Sequence, residues 1–221
     1  MKHAEPCHAS APVRRRARVA FAFVLAGLVA ACQVPVPGQG PPPALYRLTP
    51  KSTYDPDLPT VDWQLLVETP LANASIDTTR IALMRRPMQI EYYARAQWTD
   101  RAPLMIQTLI VESFENSGRI VAVGRDVVGL RGDFVLKTEL REFQVEYSGA
   151  DRPRAHVAIV ARLVQMPRRA IISTRTFERR VTARADSLDA VIEAFDEALG
   201  KALRRLVEWA LRTGEAARRG S

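Results

Sequence analysis

The sequence predicts an α+β domain: an antiparallel sheet with two main helices packed on one face, preceded by a signal peptide and a Pro-rich tether. Three observations carry this reading. Two stretches, 103–117 and 187–212, repeat apolar residues at close to 3.6-residue spacing. Much of the rest of 45–186 alternates apolar and polar residues in runs broken by Gly, Pro and charged turns. Helices thus fall at two places among strands in mostly hairpin order, which fits segregated layers better than a βαβ repeat.

At the N-terminal end, Arg14-Arg15-Arg16-Ala17-Arg18 precedes thirteen uncharged residues, Val19 to Ala31, and then Cys32. A basic segment, a short apolar run and small residues at its exit are the pattern of an export signal. A spanning helix needs about 20 apolar residues, so the run is too short to cross and remain. The ending Val29-Ala30-Ala31-Cys32 has the form of a bacterial lipobox. Residues 1–31 are therefore expected to be cut away and Cys32 to carry lipid, with more than one acyl chain for durable attachment. Residues 32–44, rich in Pro and Gly, form neither helix nor ladder and read as a semi-extended tether. Gln33 follows the cysteine. An aspartate there is the usual inner-membrane retention signal, so the expected address is the outer membrane.

The globular domain is expected over 45–212. Leu45 to Thr49 and Trp63 to Glu68 are strand candidates, and Ile81 to Met84 with Met88 to Tyr93 read as a hairpin around Arg85-Arg86-Pro87. Pro103 opens the first helix, with Leu104, Ile106, Leu109, Ile110 and Phe114 on one side and Asn116-Ser117-Gly118 as its stop. Arg119 to Val123 returns as a strand. Phe134, Leu136, Thr138 and Leu140 share one face, whereas Phe143, Val145 and Tyr147 continue shifted by one, which predicts a bulge near Arg141-Glu142. His156 to Gln165 and Ala170 to Val181 form a long hairpin around Met166-Pro167-Arg168-Arg169. The second helix, 187–212, is capped by Asp186 or Ser187 and carries the stripe Leu188, Val191, Ile192, Phe195, Leu199, Leu203, Leu206 and Ala210. The tail, 213–221, reads as disordered.

Charge narrows the function classes. The chain carries +8, but Lys2, Arg14, Arg15, Arg16 and Arg18 against Glu5 account for +4 of it within 1–31. What is left is mildly basic and mixed in sign, so no nucleic-acid partner is expected. Of two cysteines, Cys7 lies in the signal and Cys32 is the lipid site, leaving the domain no disulfide and no cysteine metal site. No phosphate loop, nucleophile elbow or His-Glu-x-x-His is present, so no cofactor, metal or catalytic residue is assigned. His156, the one histidine after residue 31, is expected as an ordinary surface or edge residue. Acids around Asp186–Glu197 read as a cap and a solvated helix face. Tyr92, Tyr93, Arg95 and Trp98 are the candidate partner surface, with Trp98 alternatively a core cap.

Several ordered stretches carry a resemblance. They are Ala96-Gln97-Trp98-Thr99-Asp100 with Pro103, Glu115 to Arg119, Leu136 to Phe143, Ala161 to Val164 with Thr176-Phe177, and Ala194 to Leu199 with Trp209. Together they resemble the ABC-type transport auxiliary lipoproteins over about Leu45 to Leu211. Gln97 stands where that family often has arginine, and Ile120 where it often has an aromatic. The resemblance implies a periplasmic domain anchored to the outer membrane. Its expected partners are MCE-domain and ABC transporter subunits of systems that move lipid or other hydrophobic compounds between membranes. A homo-oligomer is compatible with it. The rival readings are a carrier that holds lipid itself and a lipid-anchored hydrolase.

The lipobox is the only attachment signal read from the sequence. Cys32→Ala is therefore expected to leave a folded domain that no longer sediments with membranes after a high-salt wash. An Ala variant that stays in the pellet would refute the anchor.

Overall fold

The computed structural model describes residues 42–126, 131–148 and 152–220. The expected signal, Cys32 and the tether as far as residue 41 lie outside the described residues. The domain is the compact unit Pro43–Ser221.

Its strands are β1 (Ala44–Tyr46), β2 (Val61–Val67), β3 (Leu71–Ala72), β4 (Arg80–Arg86), β5 (Gln89–Trp98), β6 (Ile120–Arg125), β7 (Phe134–Glu146), β8 (Arg154–Gln165) and β9 (Ala170–Thr182). Two helices, α1 (Ala102–Ser117) and α2 (Leu188–Arg219), complete the described elements. β7 is the centre. β8 pairs with it antiparallel along its whole length, and β9 follows β8. The opposite edge of β7 receives β2, β3 and β4 in turn, each of them parallel to it. β6 extends the sheet beyond β2, and β5 and then β1 extend it beyond β4.

The sheet is thus mixed, which corrects the antiparallel expectation. Among the described strands, only β4–β5, β7–β8 and β8–β9 are antiparallel pairs. β6 lies parallel to β2 because the chain returns to the sheet through α1, and parallel neighbours need such a crossover. The predicted bulge is present as a register break between Leu140 and Glu142. Gly118 ends α1 in the left-handed region at φ 60°, donating its N–H to the Glu115 carbonyl, so the glycine stop works as expected.

The two helices share one face of the sheet, and the core lies between. Ser187 is the cap of α2, its hydroxyl accepting from the Ala190 N–H at 3.4 Å. Val191, Phe195, Leu199, Leu203, Leu206 and Ala210 of the predicted stripe are buried, while Leu188 and Ile192 sit half-buried at its margin. Phe195 packs on Trp98 and Phe143 with ring centroids 5.3 and 5.0 Å away. Burying one such side chain stabilises the fold by about 1.5–3 kcal/mol.

A second correction concerns the tail, because α2 runs two turns past residue 212 to Arg219. Those turns have partners. Gly214 lies against Trp63, Arg218 reaches Asp62 and Asp133, and Arg219 pairs with Glu215 at 2.7 Å. The sequence reading stopped where the large apolar residues stop. Gly214 and Ala217 continue the packed side with small ones.

The glycines of α2 yield a test with opposite signs. Alanine normally gains about 1 kcal/mol over glycine inside a helix. At Gly200 the nearest atom to an added Cβ would be Lys51 Cδ at 4.0 Å, so Gly200→Ala is expected to stabilise by about 0.5–1 kcal/mol. At Gly214 the Cβ would lie 2.6 Å from Trp63 Cζ2. That ring is fully buried and held edge-on by Phe134 at 4.8 Å, so it cannot yield cheaply. Gly214→Ala is expected to cost about 1–3 kcal/mol. Denaturant unfolding of both variants checks this, and shifts of the same sign would refute the packing.

Candidate functional site: the helix-free face of the sheet

Strand alternation sends every second residue of β7, β8 and β9 away from the helices. On β8, Ala155, Val157, Ile159, Ala161 and Leu163 enter the core, so His156, Ala158, Val160, Arg162 and Val164 occupy the other face. Registers align Gln144, His156 and Arg180 across three strands, with Glu146 and Glu178 as diagonal neighbours of the histidine. No described helix covers this face, yet His156 is only 3 % exposed.

The arms of its neighbours bury it. His156 Nδ1 lies 2.6 Å from Glu146 Oε1, and Nε2 lies 2.9 Å from Glu178 Oε1. Arg180 bridges the same two carboxylates, at 3.5 Å to Glu146 and 2.5 Å to Glu178. The hydrogen bond from His156, with the charge of Arg180 behind it, holds the Glu178 carboxyl below its ordinary value. Further along, Glu139 takes Arg141 at 3.2 Å and Arg162 at 3.5 Å, and Arg141 is the main cause of its lowered pKa. Buried Gln144 is satisfied by the Phe143 N–H and by Glu142. The face is a lattice of alternating charge running across the strands.

This placement corrects the reading of His156 as a surface or edge residue. β8 lies inside the sheet, between β7 and β9, and carries neighbours on both sides. Chemically, both ring nitrogens face carboxylates, so neither is presented to a nucleophile as a general base must be. The two carboxylates approach different nitrogens, and among the described residues no three His, Cys, Asp or Glu converge as a metal set.

At one end the same face turns apolar. Leu66, Val135 and Val164 form a separate buried cluster, with Met166 against it. They floor a cleft of about 860 Å³ whose rim holds Asp126, Arg131, Lys137 and Arg169. Ile171 at its side is 59 % exposed. Lys137 is paired across the rim with Glu68.

The predicted aromatic surface does not come together. Trp98 is 1 % exposed and packs against Phe143 and Phe195, so it is core and not a contact residue. Tyr92 and Tyr93 point to opposite faces. Tyr92 donates to the Ser75 carbonyl at 3.1 Å under the Arg80 guanidinium, 3.6 Å above its ring. Tyr93 shares a 3.0 Å hydrogen bond with Tyr147, which donates to Asp186, and burial raises the pKa of Tyr93 most. Of the four, Arg95 alone is exposed.

The carboxylate lattice should be legible as acid sensitivity. A depressed folded pKa at Glu178 contributes stability that is present above the unfolded carboxylate value of 4.5 and is lost as pH falls through the folded value. The melting temperature of the wild type is therefore expected to fall below pH 4.5, and that of Glu178→Gln to fall less steeply there. Parallel melting curves against pH would exclude the assignment.

Comparison with known proteins is consistent with this architecture. A crystal structure of protein XCC0632 from Xanthomonas campestris, described under the family name DUF330, is 33 % identical. The match covers 80 % of this chain and 99 % of that one, with a TM-score of 0.76. Another crystal structure, of an uncharacterized protein, superposes with a TM-score of 0.56 at 14 % identity over 82 % of this chain and all of that one, a likeness of fold alone. An uncharacterized protein of Bradyrhizobium diazoefficiens is 25 % identical over 169 residues, which is 74 % of this chain. The matched region spans 44 % of that relative's length, less than half. The family described as ABC-type transport auxiliary lipoprotein component matches residues 46–207, from the end of β1 to Val207 within α2, and the chain belongs to it.

Proposed function

We propose that this protein is a non-catalytic auxiliary lipoprotein of an ABC/MCE-type system that moves lipid or another hydrophobic compound between membranes. It is held at the periplasmic face of the outer membrane by Cys32 and acts by docking partner subunits. The observation that carries the reading is the family match over 46–207. The geometry supports docking over chemistry. The helix-free face offers an ordered array of charge and an apolar cleft, while its histidine is closed in by carboxylates. Patterned charge of this kind selects and orients a partner.

A second reading has one observation in its favour: the cleft over Leu66, Val135 and Val164 would accept an acyl chain. In that case native mass spectra of the chain would retain a lipid that Val164→Glu abolishes.

For docking, the test is capture of the MCE-domain and ABC subunits by the tagged full-length lipoprotein. Arg162→Glu, on the helix-free face, is expected to weaken capture about tenfold, roughly 1.4 kcal/mol, at a nearly unchanged melting temperature. Lys201→Glu, on the solvent side of α2, is the control and should capture normally. Equal capture by all three proteins would remove the proposed face.

A further inference from the structure

The contact between Phe177 of β9 and Trp209 of α2, with ring centroids 5.6 Å apart, brings together the stretches of strand and helix that carry two arginines. Arg179 lies two residues past Phe177 on the same side of β9, and Arg205 lies one turn before Trp209 on α2. Arg179 Nη1 donates to the Glu178 carbonyl, whereas Nη2 is buried with no hydrogen-bond partner. Among the described residues neither arginine has a carboxylate within ion-pair distance. The acids nearest in sequence on α2 are engaged elsewhere, Glu197 with Lys201 at 2.6 Å and Glu208 with Arg204 at 2.8 Å. Burial, and then the positive charge of Arg205, push the Arg179 guanidinium below its ordinary pKa. Two like charges beside an unsatisfied buried donor are costly in the free protein and favourable once an anion lies between them.

We infer that Arg179 and Arg205 form a binding site for an oxyanion of the phosphate class. Guanidinium forks match the oxygens of phosphate with paired, charge-assisted hydrogen bonds, and Arg179 Nη2 is a donor left unsatisfied in the free protein, which a turn of the side chain toward an anion would satisfy. Sulfate-like geometry would fit equally, but phosphate esters are the oxyanions of a lipid surface. This inference stands apart from the docking face, because β9 meets α2 on the helical side of the sheet. A free phosphate and the phosphodiester of a lipid headgroup share the required chemistry.

The test uses the full chain in nonionic detergent, titrated with inorganic phosphate and separately with glycerophosphoglycerol, the water-soluble headgroup of phosphatidylglycerol. Calorimetric binding and the melting temperature are the readouts, with sodium chloride of matched ionic strength as the reference. Wild type should bind at least one of the two and melt higher with it, and Arg205→Gln should bind about tenfold more weakly. Without anion, Arg205→Gln should melt at the wild-type temperature or above, since it removes the repulsion and Arg205 is exposed. Binding of the diester points to a lipid headgroup, and binding of inorganic phosphate alone to a free anion. The inference is overturned if neither anion acts beyond the chloride reference, or if Arg205→Gln binds as wild type does.

Discussion

One extra residue in β7 decides what faces the core and what faces out. Up to Leu140 the apolar phase falls on even positions, Phe134, Leu136 and Leu140, and from Phe143 it falls on odd ones, Phe143 and Val145. A strand without the register break at Leu140/Glu142 would turn Phe143 out and bring Glu142 and Glu146 in. The break therefore keeps Phe143 stacked between Trp98 and Phe195. It also delivers Glu142, Gln144 and Glu146 together to the helix-free side. The core and the candidate site rest on the same irregularity.

The long ladder of β7, β8 and β9 then does two jobs. Its core side meets α2, whose final turns reach Trp63 through the missing side chain of Gly214. Its other side buries fewer apolar residues, Ala158 and Val160 on β8 and those at the cleft. There, exposed ion pairs are each worth only about 0–1 kcal/mol, so the lattice contributes order and charge pattern more than stability. The buried imidazole is the exception, since removing it would take a hydrogen-bond partner from Glu146 and from Glu178 and leave Arg180 alone to bridge them.

Much of this was legible in the residues. Local signals gave both helices, the hairpins, the Gly118 stop and the bulge, because each depends on neighbours within a few positions. The parallel pairings were hidden, since Leu65 meets Phe134 across a separation no local pattern encodes. For the same reason His156 could be singled out while its two glutamates, ten and twenty-two positions away, could not. One signal was available. β8 is apolar on both phases, with Val160 and Val164 added to Val157, Ile159 and Leu163, and that pattern marks an interior strand where a histidine is buried. At Trp98 it is the core alternative that holds, since its position at the end of β5 lies beneath Phe195.

The segment that leads into the domain occupies part of the helical layer. Residues 46–55 run alongside α2 and over α1. The Thr49 N–H and hydroxyl both donate to Asp196, at 2.7 and 2.9 Å. The Lys51 N–H donates to Ser113, and Tyr54, its pKa pushed up to about 12 by burial, donates to the Ser113 carbonyl at 2.6 Å. Asp55 takes Arg212 at 2.7 Å. These contacts tie the segment to both helices, so part of the helical layer is already occupied by the chain's own approach. A strap fixed at so many points adds little by moving, and its hydrogen bonds would be lost if a partner displaced it. The sheet face, ordered by its own ion pairs and covered by no described helix, needs no such displacement. On the docking reading proposed above, a partner there would meet preformed charge and leave the core closed.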